Sequence, residues 1–239
     1  MVCEIRSFIG TRPYQEDAAE KCETDKGLFA AVCDGIGSRP EGGASSGLAV
    51  KRFAELFKGW SGDNYPAFIV DAASRIDDEV YKRYGDRCGT TAVTVYITGN
   101  ELYWLSVGDS RLYICRGGEL TQMTRTHNYS YVIDLRFRKE LIDEKTYLAE
   151  QKKGGLLASF IGMGGIDIVD VSTKPFRLRS GDILLLATDG LYRSVGDEAI
   201  AGILGRDSPP AETADLLMEA VKSCQGSLDN TTFALIRHS

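Results

Sequence analysis

A short apolar run that ends in an aspartate and glycines constrains this chain more than any other stretch. Residues 28–33 are all apolar and lead directly into Asp34, Gly35, Ile36 and Gly37. A brief apolar run bounded by glycine is typical of a buried strand. An unpaired charge at the border of a core is costly, so a carboxylate in this place needs a partner. Taken alone, Asp34 could equally well be a turn residue or a helix cap with no functional role.

Composition bounds the class of protein. The 239 residues are 43% hydrophobic and 26% charged, which is enough apolar material for the core of one large domain or two small ones. The net charge of −6 argues against a nucleic-acid binder that relies on positive charge. With two histidines in the chain, a histidine-rich zinc site is not expected.

The compartment is predicted from the cysteines and the apolar runs. Six cysteines show no C-x-x-C spacing, and Cys33 and Cys115 lie inside apolar runs, which predicts buried free thiols in a reducing compartment. The N-terminus lacks the apolar segment of a signal peptide, and no apolar run approaches membrane-spanning length. We therefore expect a cytoplasmic protein with neither a nucleic-acid nor a membrane partner.

Hydrophobic periodicity predicts an α+β domain in which two sheets pack together with helices outside. Strands are predicted at 2–9, 27–34, 88–97, 101–109, 111–115, 166–173, 182–188 and 231–236. Helices are predicted at 45–60, 65–85 and about 210–225, with Pro209 near the first helical position. Residues 11–18 are interpreted as a loop. The polar segment 122–156 is interpreted as a mostly helical, mobile excursion over one edge of the fold.

Four predicted strands carry an aspartate at one tip, namely Asp34, Asp109, Asp189 and Asp229. If these tips share one edge of a sandwich, their carboxylates cluster, and such a cluster repels itself unless cations lie within it. Oxygen ligands with almost no histidine or cysteine nearby suit Mg²⁺ or Mn²⁺ rather than zinc. The alternative is that each aspartate is a separate turn or cap residue.

The chemistry of such a cluster is specific. Two hard cations about 3.5–4 Å apart, bridged by one carboxylate, can activate a water for in-line attack on phosphorus. Arg12 lies beside Glu16 and Asp17 in the sequence and offers a planar fork for phosphate oxygens. Metals, an activated water and a phosphate clamp together indicate hydrolysis of phosphate esters.

Six motifs in order resemble the metal-dependent protein phosphatase family (PPM, or type 2C) in its compact bacterial form. Their sequences are similar to R-x-x-N-E-D-x, D-G-M-G, G-T-T/S-A, V-G-D-S-R, T-D-G-L/V and a terminal D-N, at residues 12–18, 34–37, 89–92, 107–111, 188–191 and 229–230. The resemblance runs along nearly the whole chain. It implies a four-layer α-β-β-α sandwich of two antiparallel sheets, formed by a single catalytic domain over residues 1–239.

The resemblance also implies roles for the matched residues. Asp34 would bridge two Mg²⁺ or Mn²⁺ ions, and the carbonyl of Gly35 would ligate one of them. Asp189 and Asp229 would hold the first metal. Glu16 would act near the second metal, through water.

Further roles follow from the same resemblance. Asp109, together with Asp189, would bind the third, weaker metal found in bacterial relatives. Arg12 would hold the substrate phosphate, and Asp17 would support the loop that carries it. Residues 122–156 fall where the family has a flap beside the active site.

Several residues depart from the family pattern. Ile36 stands where many eukaryotic members carry a histidine proposed as general acid, so the leaving group must be protonated otherwise. Ser38 replaces a common glycine, Gln15 replaces the usual asparagine, and Thr126-His127 replaces an Asp-His pair. These changes, with the altered loop from Ser38 to Gly43, affect expected loop geometry and leave the acidic residues intact.

The function expected from the resemblance is hydrolysis of phosphoserine and phosphothreonine in proteins, in which a metal-bound hydroxide attacks directly and no phosphoenzyme forms. Phosphorylated proteins would be the substrates of a monomeric enzyme, with a Ser/Thr kinase acting on the same targets. Two alternatives remain open. One is a non-catalytic phosphoprotein-binding module on the same fold, and the other is a hydrolase of small phosphate esters.

Overall fold

Strands and helices alternate along the computed structural model, which describes residues 1–37, 40–85 and 88–239. The strands are β1 (Val2–Phe8), β2 (Asp17–Thr24), β3 (Gly27–Ile36), β4 (Gly89–Thr90), β5 (Ala92–Thr98), β6 (Glu101–Val107), β7 (Arg111–Arg116), β8 (Glu119–Gln122), β9 (Asp170–Val171), β10 (Phe176–Arg177), β11 (Ile183–Ala187) and β12 (Thr231–Arg237). The helices are α1 (Pro40–Gly59), α2 (Tyr65–Tyr84), α3 (Tyr129–Arg138), α4 (Glu144–Glu150), α5 (Asp189–Val195), α6 (Asp197–Leu204) and α7 (Pro210–Lys222).

The strands form two antiparallel sheets. The first sheet has the order β1-β12-β11-β7-β8, and the second has the order β10-β6-β5-β3-β2, with β4 beside β3 and β9 beside β6. This arrangement confirms the predicted antiparallel sandwich.

Three apolar clusters separate four layers, because side chains alternate across each strand. On β3, Phe29 and Ala31 pack against α1 and α2, whereas Ala30 and Val32 pack against the other sheet. A third cluster joins the outer face of the first sheet to α5, α6 and α7. The order of layers is therefore α-β-β-α, as the resemblance implies. None of the described helices is both long and apolar enough to cross a membrane.

Strand direction brings the aspartate-bearing tips to one edge of the sandwich. Strands β3 and β6 both run antiparallel to β5, so their C-terminal ends lie on the same side. Strand β12 begins where β11 ends and where β1 ends, and β2 begins opposite the end of β3, with Asp17 paired to Asp34. Antiparallel pairing thus gathers the ends of β1 and β11 with the start of β12 in the first sheet, and the ends of β3 and β6 with the start of β2 in the second. The hydrogen bond from the Thr188 hydroxyl to Asp17 joins the two sets.

Two predictions about local structure were wrong. Asp17 does not belong to a loop, because it begins β2, an edge strand whose polar residues gave no clear alternation. The strand predicted at 166–173 is reduced to Asp170–Val171 at the margin of a sheet. Other elements agree with the prediction: Pro209 precedes α7, which begins at Pro210, and Asp189 follows β11 and starts α5.

The segment 122–156 is largely helical, as the sequence indicated, and we call it the flap. The flap comprises α3, α4 and a 3₁₀ turn (Gln151–Lys153), and its internal contacts include stacked rings of Phe137 and Tyr147 with centroids 4.4 Å apart. The hydroxyl of Tyr129 donates to Glu150 over 2.7 Å. At its base, the backbone nitrogen of His127 donates to the carbonyl of Gly108 over 2.8 Å, which holds the flap beside the tip of β6.

Candidate active site

Two threonines fix the backbone of Asp34 at the end of β3. The amide of Asp34 donates to the Thr91 hydroxyl over 3.0 Å. Its carbonyl accepts from the Thr91 amide at 2.8 Å and from the Thr90 hydroxyl at 2.9 Å. The Thr91 hydroxyl also lies 2.7 Å from that of Ser110, next to Asp109. These bonds tie the tip of β3 to the tip of β6.

Glycines make room for Glu16 beside Asp34. The amide of Gly35 donates to the Glu16 carbonyl over 3.0 Å, and a Cβ at Gly35 would collide with that carbonyl and with the carbonyl of Gly42. A Cβ at Gly42 would in turn collide with a carboxylate oxygen of Glu16. At position 35 only glycine allows the backbone to approach this closely, whereas a side chain at position 42 would displace the Glu16 carboxylate from its present place.

Asn230 secures the loop that carries Arg12 and Glu16. Its side-chain nitrogen donates to the carbonyls of Ile9 at 2.8 Å and Tyr14 at 3.0 Å. Its side-chain oxygen accepts from the Glu16 amide at 2.7 Å. With three backbone groups bound by one buried amide, Asn230 sets the position of the loop relative to β12.

Asp17 lies buried directly behind this loop. One of its oxygens accepts from the Thr188 hydroxyl at 2.9 Å. The other is buried without a hydrogen-bond partner among the described residues. Burial, opposed by the bond from Thr188 and reinforced by nearby acids, raises the pKa of Asp17 to about 7.

The acidic residues lie close enough to affect each other's ionisation. We call Glu16, Asp17, Asp34, Asp109, Asp189 and Asp229 the acidic cluster. Burial raises the pKa of Asp34 well above its ordinary value, and the charges of Asp17, Asp189, Asp109 and Asp229 raise it further. Burial also raises the pKa of Asp189 and of Asp109, although the positive charge of Arg193 opposes it in both cases. The cluster therefore favours protonation or bound cations.

Two arginines already bind parts of the acidic cluster. Arg12 Nη2 lies 2.6 Å from an oxygen of Asp229. Arg193 Nη1 lies 2.8 Å from Asp189 Oδ2, and its Nη2 lies 3.3 Å from Asp109 Oδ2. In the described part of the chain, no three acidic, histidine or cysteine side chains stand as a ready set of ligands around one metal ion. Three of the carboxylates, those of Asp109, Asp189 and Asp229, are instead paired with guanidinium groups.

Comparison with known proteins identifies the family. The family model described as protein phosphatase 2C matches residues 7–223, which is most of the chain. The chain belongs to the protein phosphatase 2C family. Enzymes of this family depend on metal ions, generally Mg²⁺ or Mn²⁺.

Individual family members match over much of the chain. The probable protein phosphatase 2C 59 of Arabidopsis thaliana is 30% identical over 230 residues, which cover 88% of this chain and 70% of that protein. The serine/threonine protein phosphatase PstP of Mycobacterium tuberculosis is 31% identical over 84% of this chain, which spans 38% of the length of PstP. The solved structure of the S. agalactiae serine/threonine phosphatase aligns over 100% of both chains with a TM-score of 0.81 and 22% identity, which shows a shared fold.

The acidic cluster fits the metal requirement of the protein phosphatase 2C family in its donor chemistry. Its side chains offer oxygen atoms alone, which are the ligands that Mg²⁺ and Mn²⁺ prefer. Burial raises the pKa of four of its members, Asp17, Asp34, Asp109 and Asp189, and one buried oxygen of Asp17 lacks a partner among the described residues. A metal ion on Oδ2 of Asp229 would have to displace Arg12, whose Nη2 lies 2.6 Å from that oxygen.

The structure gives roles to some residues that the sequence left open. His127 is buried, and its Nδ1 accepts from the Gly108 amide at 3.2 Å, so the neutral ring carries its proton on Nε2. Burial lowers the pKa of His127. It is an anchor between the flap and the turn that precedes Asp109. Ser38 and Arg39 belong to the loop that departs from the family pattern, and they lie outside the described residues.

Sequence reasoning missed Arg193 and the structural role of Asn230. Arg193 follows Asp189 by four residues, a spacing at which an acid and a base meet on one face of a helix. That signal was present, but it required the prediction of α5. The positioning role of Asn230 gave no such signal, because the backbone groups that it binds lie more than two hundred residues away in the chain.

Replacing Asn230 should damage both stability and activity. An Asn230→Ala variant leaves three backbone groups without their partner, so we expect a loss of about 2–3 kcal/mol in the free energy of unfolding. Activity should fall roughly 10–100-fold, because the loop that carries Arg12 and Glu16 loses its attachment. Urea denaturation and phosphate release measure the two effects.

Asn64→Ala is the matched control for this prediction. The Asn64 side chain also accepts from a backbone amide, that of Ala67 over 3.1 Å, at the start of α2 and away from the acidic cluster. This variant should lose about 1 kcal/mol and keep its activity. If Asn230→Ala behaves in the same way, the positioning role of Asn230 is wrong.

Proposed function

We propose that this chain is a metal-dependent protein phosphatase that hydrolyses phosphoserine and phosphothreonine. The observation that carries the proposal is the convergence of acids from both sheets on one edge, with Arg12 among them. Arg12 lies against Asp229 and also within electrostatic reach of Glu16 and Asp189. This combination offers oxygen ligands for hard cations and a cation for a phosphate group at the same place.

The ligands of two Mg²⁺ or Mn²⁺ ions are proposed from the acidic cluster. Asp34 holds the central place, with its backbone fixed by two threonines, and its neighbours are Glu16, the Gly35 carbonyl, Asp189 and Asp229. When bound, the two cations would supply an activated water and neutralise charge on the phosphoryl group. The third cation that the resemblance implies is left out of this proposal, because Arg193 lies between its two expected ligands.

Arg12 is proposed to bind the phosphate of the substrate. Its guanidinium lies at the surface of the acidic cluster, with about half of the side chain exposed. A planar guanidinium can donate two parallel hydrogen bonds to a phosphate, which fixes the orientation of the group as well as its place. In exchanging Asp229 for phosphate, Arg12 would also leave that carboxylate free for metal.

A phosphorylated protein is the proposed substrate class, with a Ser/Thr kinase acting on the same targets. The acidic cluster opens on one side into a groove of about 480 Å³ between Asp109, Arg193 and the flap residues Asn128 and Gly155. An open groove beside the site has room for residues that flank a phosphorylated side chain. We further propose that the protein is a monomer and acts in a reducing, cytoplasmic compartment.

A substrate panel separates this function from its alternatives. Phosphate release should be compared for a phosphothreonine peptide, a phosphoserine peptide and p-nitrophenyl phosphate, each with Mn²⁺. We expect higher kcat/KM for the peptides, whereas equal or better hydrolysis of the small ester would favour a small-molecule hydrolase. Binding of phosphopeptide without turnover, together with no heat of Mn²⁺ binding in calorimetry, would favour the non-catalytic module.

Arg12→Ala should reduce kcat/KM for phosphopeptides by about 10²–10³-fold, which is typical for the loss of one aligned donor to developing charge. The kcat/KM of Arg12→Lys should lie between those of wild type and Arg12→Ala, because lysine keeps the positive charge but cannot donate two parallel hydrogen bonds. Metal affinity should stay equal or increase in Arg12→Ala, since Arg12 competes with metal for Asp229. Phosphate release and Mn²⁺ calorimetry measure the two effects.

The control for the Arg12 variants is Arg75→Ala. Arg75 is an exposed arginine on α2, paired to Asp71 at 3.6 Å and remote from the acidic cluster. This variant should keep both kcat/KM and metal affinity. Wild-type kcat/KM in Arg12→Ala, or weakened Mn²⁺ binding with normal turnover, would overturn the assignment of Arg12 to phosphate.

A further inference from the structure

Arg193 joins two acids that come from different sheets. Asp109 follows β6 of the second sheet, and Asp189 follows β11 of the first. Arg193 Nη2 lies 3.3 Å from Asp109 Oδ2, and Arg193 Nη1 lies 2.8 Å from Asp189 Oδ2. Asp189 occupies the first turn of α5 and Arg193 its last turn, the order in which an acid and a base four residues apart stabilise a helix. The guanidinium therefore bridges the two sheets at the acidic cluster.

The surroundings of Asp109 already contain a second positive charge. The Arg111 guanidinium lies over the ring of Tyr192, 3.6 Å from its centre. The Tyr192 hydroxyl donates to the Asp109 carbonyl over 3.1 Å, so Arg111, Tyr192 and Asp109 form one packed group. Asp197 Oδ1 lies 3.9 Å from Arg111 Nη1. A divalent cation between Asp109 and Asp189 would have to displace one guanidinium and lie close to another.

We propose that Arg193 takes the place of a third metal ion in this chain. The inference rests on the proposed two-metal function and departs from the ligand set that the family resemblance implies. Asp109 then orients Arg193 rather than a cation. Because Arg193 binds Oδ2 of Asp189, the other oxygen of that carboxylate remains available to the metal held with Asp34. The active site accordingly needs two metal ions, and the guanidinium of Arg193 supplies the positive charge at the third position.

The test is the number of Mn²⁺ ions bound per chain, measured by equilibrium dialysis and elemental analysis up to millimolar free Mn²⁺. Wild type should bind two ions. Arg193→Gln removes the charge at nearly constant size and should bind a third, weaker ion. The double variant Asp109→Asn/Arg193→Gln should return to two, since the third ion loses a ligand. Arg75→Gln, on the remote face of α2, should stay at two.

Each outcome separates this inference from the function on which it rests. Three ions in wild type, or two in a folded Arg193→Gln, would overturn the role of Arg193. If Arg193→Gln does not fold, Asp109→Asn in the presence of Arg193 decides the question. It should keep two ions at wild-type affinity, and the loss of an ion would contradict the proposal. Fewer than two ions in wild type would instead overturn the two-metal function, and the inference with it.

Discussion

An Asp34→Asn variant is expected to lose at least about a thousandfold in metal-dependent phosphatase activity, equivalent to roughly 4 kcal/mol of transition-state stabilisation. Asp34 is the central acid of the proposed metal pair, and its carboxylate is surrounded by Asp17, Asp109, Asp189 and Asp229. An amide has one neutral oxygen in place of two charged ones, so it cannot bridge two cations. Phosphate release from a phosphothreonine peptide with Mn²⁺ measures the loss.

The fold should survive this substitution. Burial and neighbouring acids raise the pKa of Asp34, so without metal its side chain is close to a neutral acid, which asparagine resembles in shape. In EDTA the variant should unfold at the wild-type temperature or above it. Asp71→Asn, an exposed acid on α2, is the control and should change neither activity nor stability. An Asp34→Asn enzyme with more than a tenth of wild-type turnover would contradict the assignment.

Bound metal should stabilise the protein strongly. The acidic cluster repels itself, and a ligand that binds only the folded state stabilises it by about 2.7 kcal/mol at a concentration one hundred times its dissociation constant. For a chain of this size, that corresponds to an increase of roughly 5–10 °C in melting temperature for each site. Thermal unfolding in Mn²⁺ and in EDTA, at constant ionic strength, measures the difference.

This stabilisation should depend on pH in a defined direction. The pKa of Asp17 is about 7 in the folded protein, above its usual unfolded value near 3.9, so the metal-free folded state binds more protons. Metal-free stability contributed by this group therefore falls as pH rises from about 4 to 7. Mn²⁺ binding requires ionised carboxylates, so the gain in melting temperature should increase from pH 5 to pH 7.5.

Asp34→Asn and Asp71→Asn give the matched pair for the metal effect. The first should lose most of the gain in melting temperature, because a central ligand is missing. The second should keep it, because an exposed acid on α2 is not part of the acidic cluster. An equal gain in both variants would show that Mn²⁺ stabilises the chain by binding elsewhere.

The edge of the sandwich that carries the site could be predicted, because buried strands are easily recognised. The residues of β11 are all buried and apolar, and those of β3 are buried from Leu28 to Cys33. A charged residue directly after such an apolar run is therefore easy to recognise in the sequence. The aspartates at 34, 109, 189 and 229 could therefore be found as strand tips, and antiparallel pairing then places them on one side.

Edge strands and short helices could not be predicted in the same way. Strand β2 is paired on one side to β3 and exposes polar residues such as Glu23, so its sequence lacks the apolar signal of a central strand. Helix α5 has seven residues and begins directly after β11, which leaves too little length for a helical period to be recognised. Without α5, the pairing of Arg193 with Asp189 had no structural basis.

Contacts between distant segments were beyond the reach of sequence patterns. The hydrogen bonds of Asn230 to Ile9 and Tyr14, and that of Thr188 to Asp17, join the two ends of the chain. Their residue types are common at turns and caps, so nothing in the local sequence distinguished them. The chemistry of the site could thus be proposed from its acids, whereas the bonds that position those acids required the fold.

The central claim is that the acidic cluster acts through divalent metal to hydrolyse phosphate esters of proteins. Its most direct test is the release of inorganic phosphate from a phosphothreonine peptide by wild type in Mn²⁺, after excess EDTA, and after Mn²⁺ is restored. We expect release in Mn²⁺, none in EDTA, recovery on restoration, and none from Asp34→Asn under any condition. Release that continues in EDTA, or that Asp34→Asn supports equally, would contradict the claim.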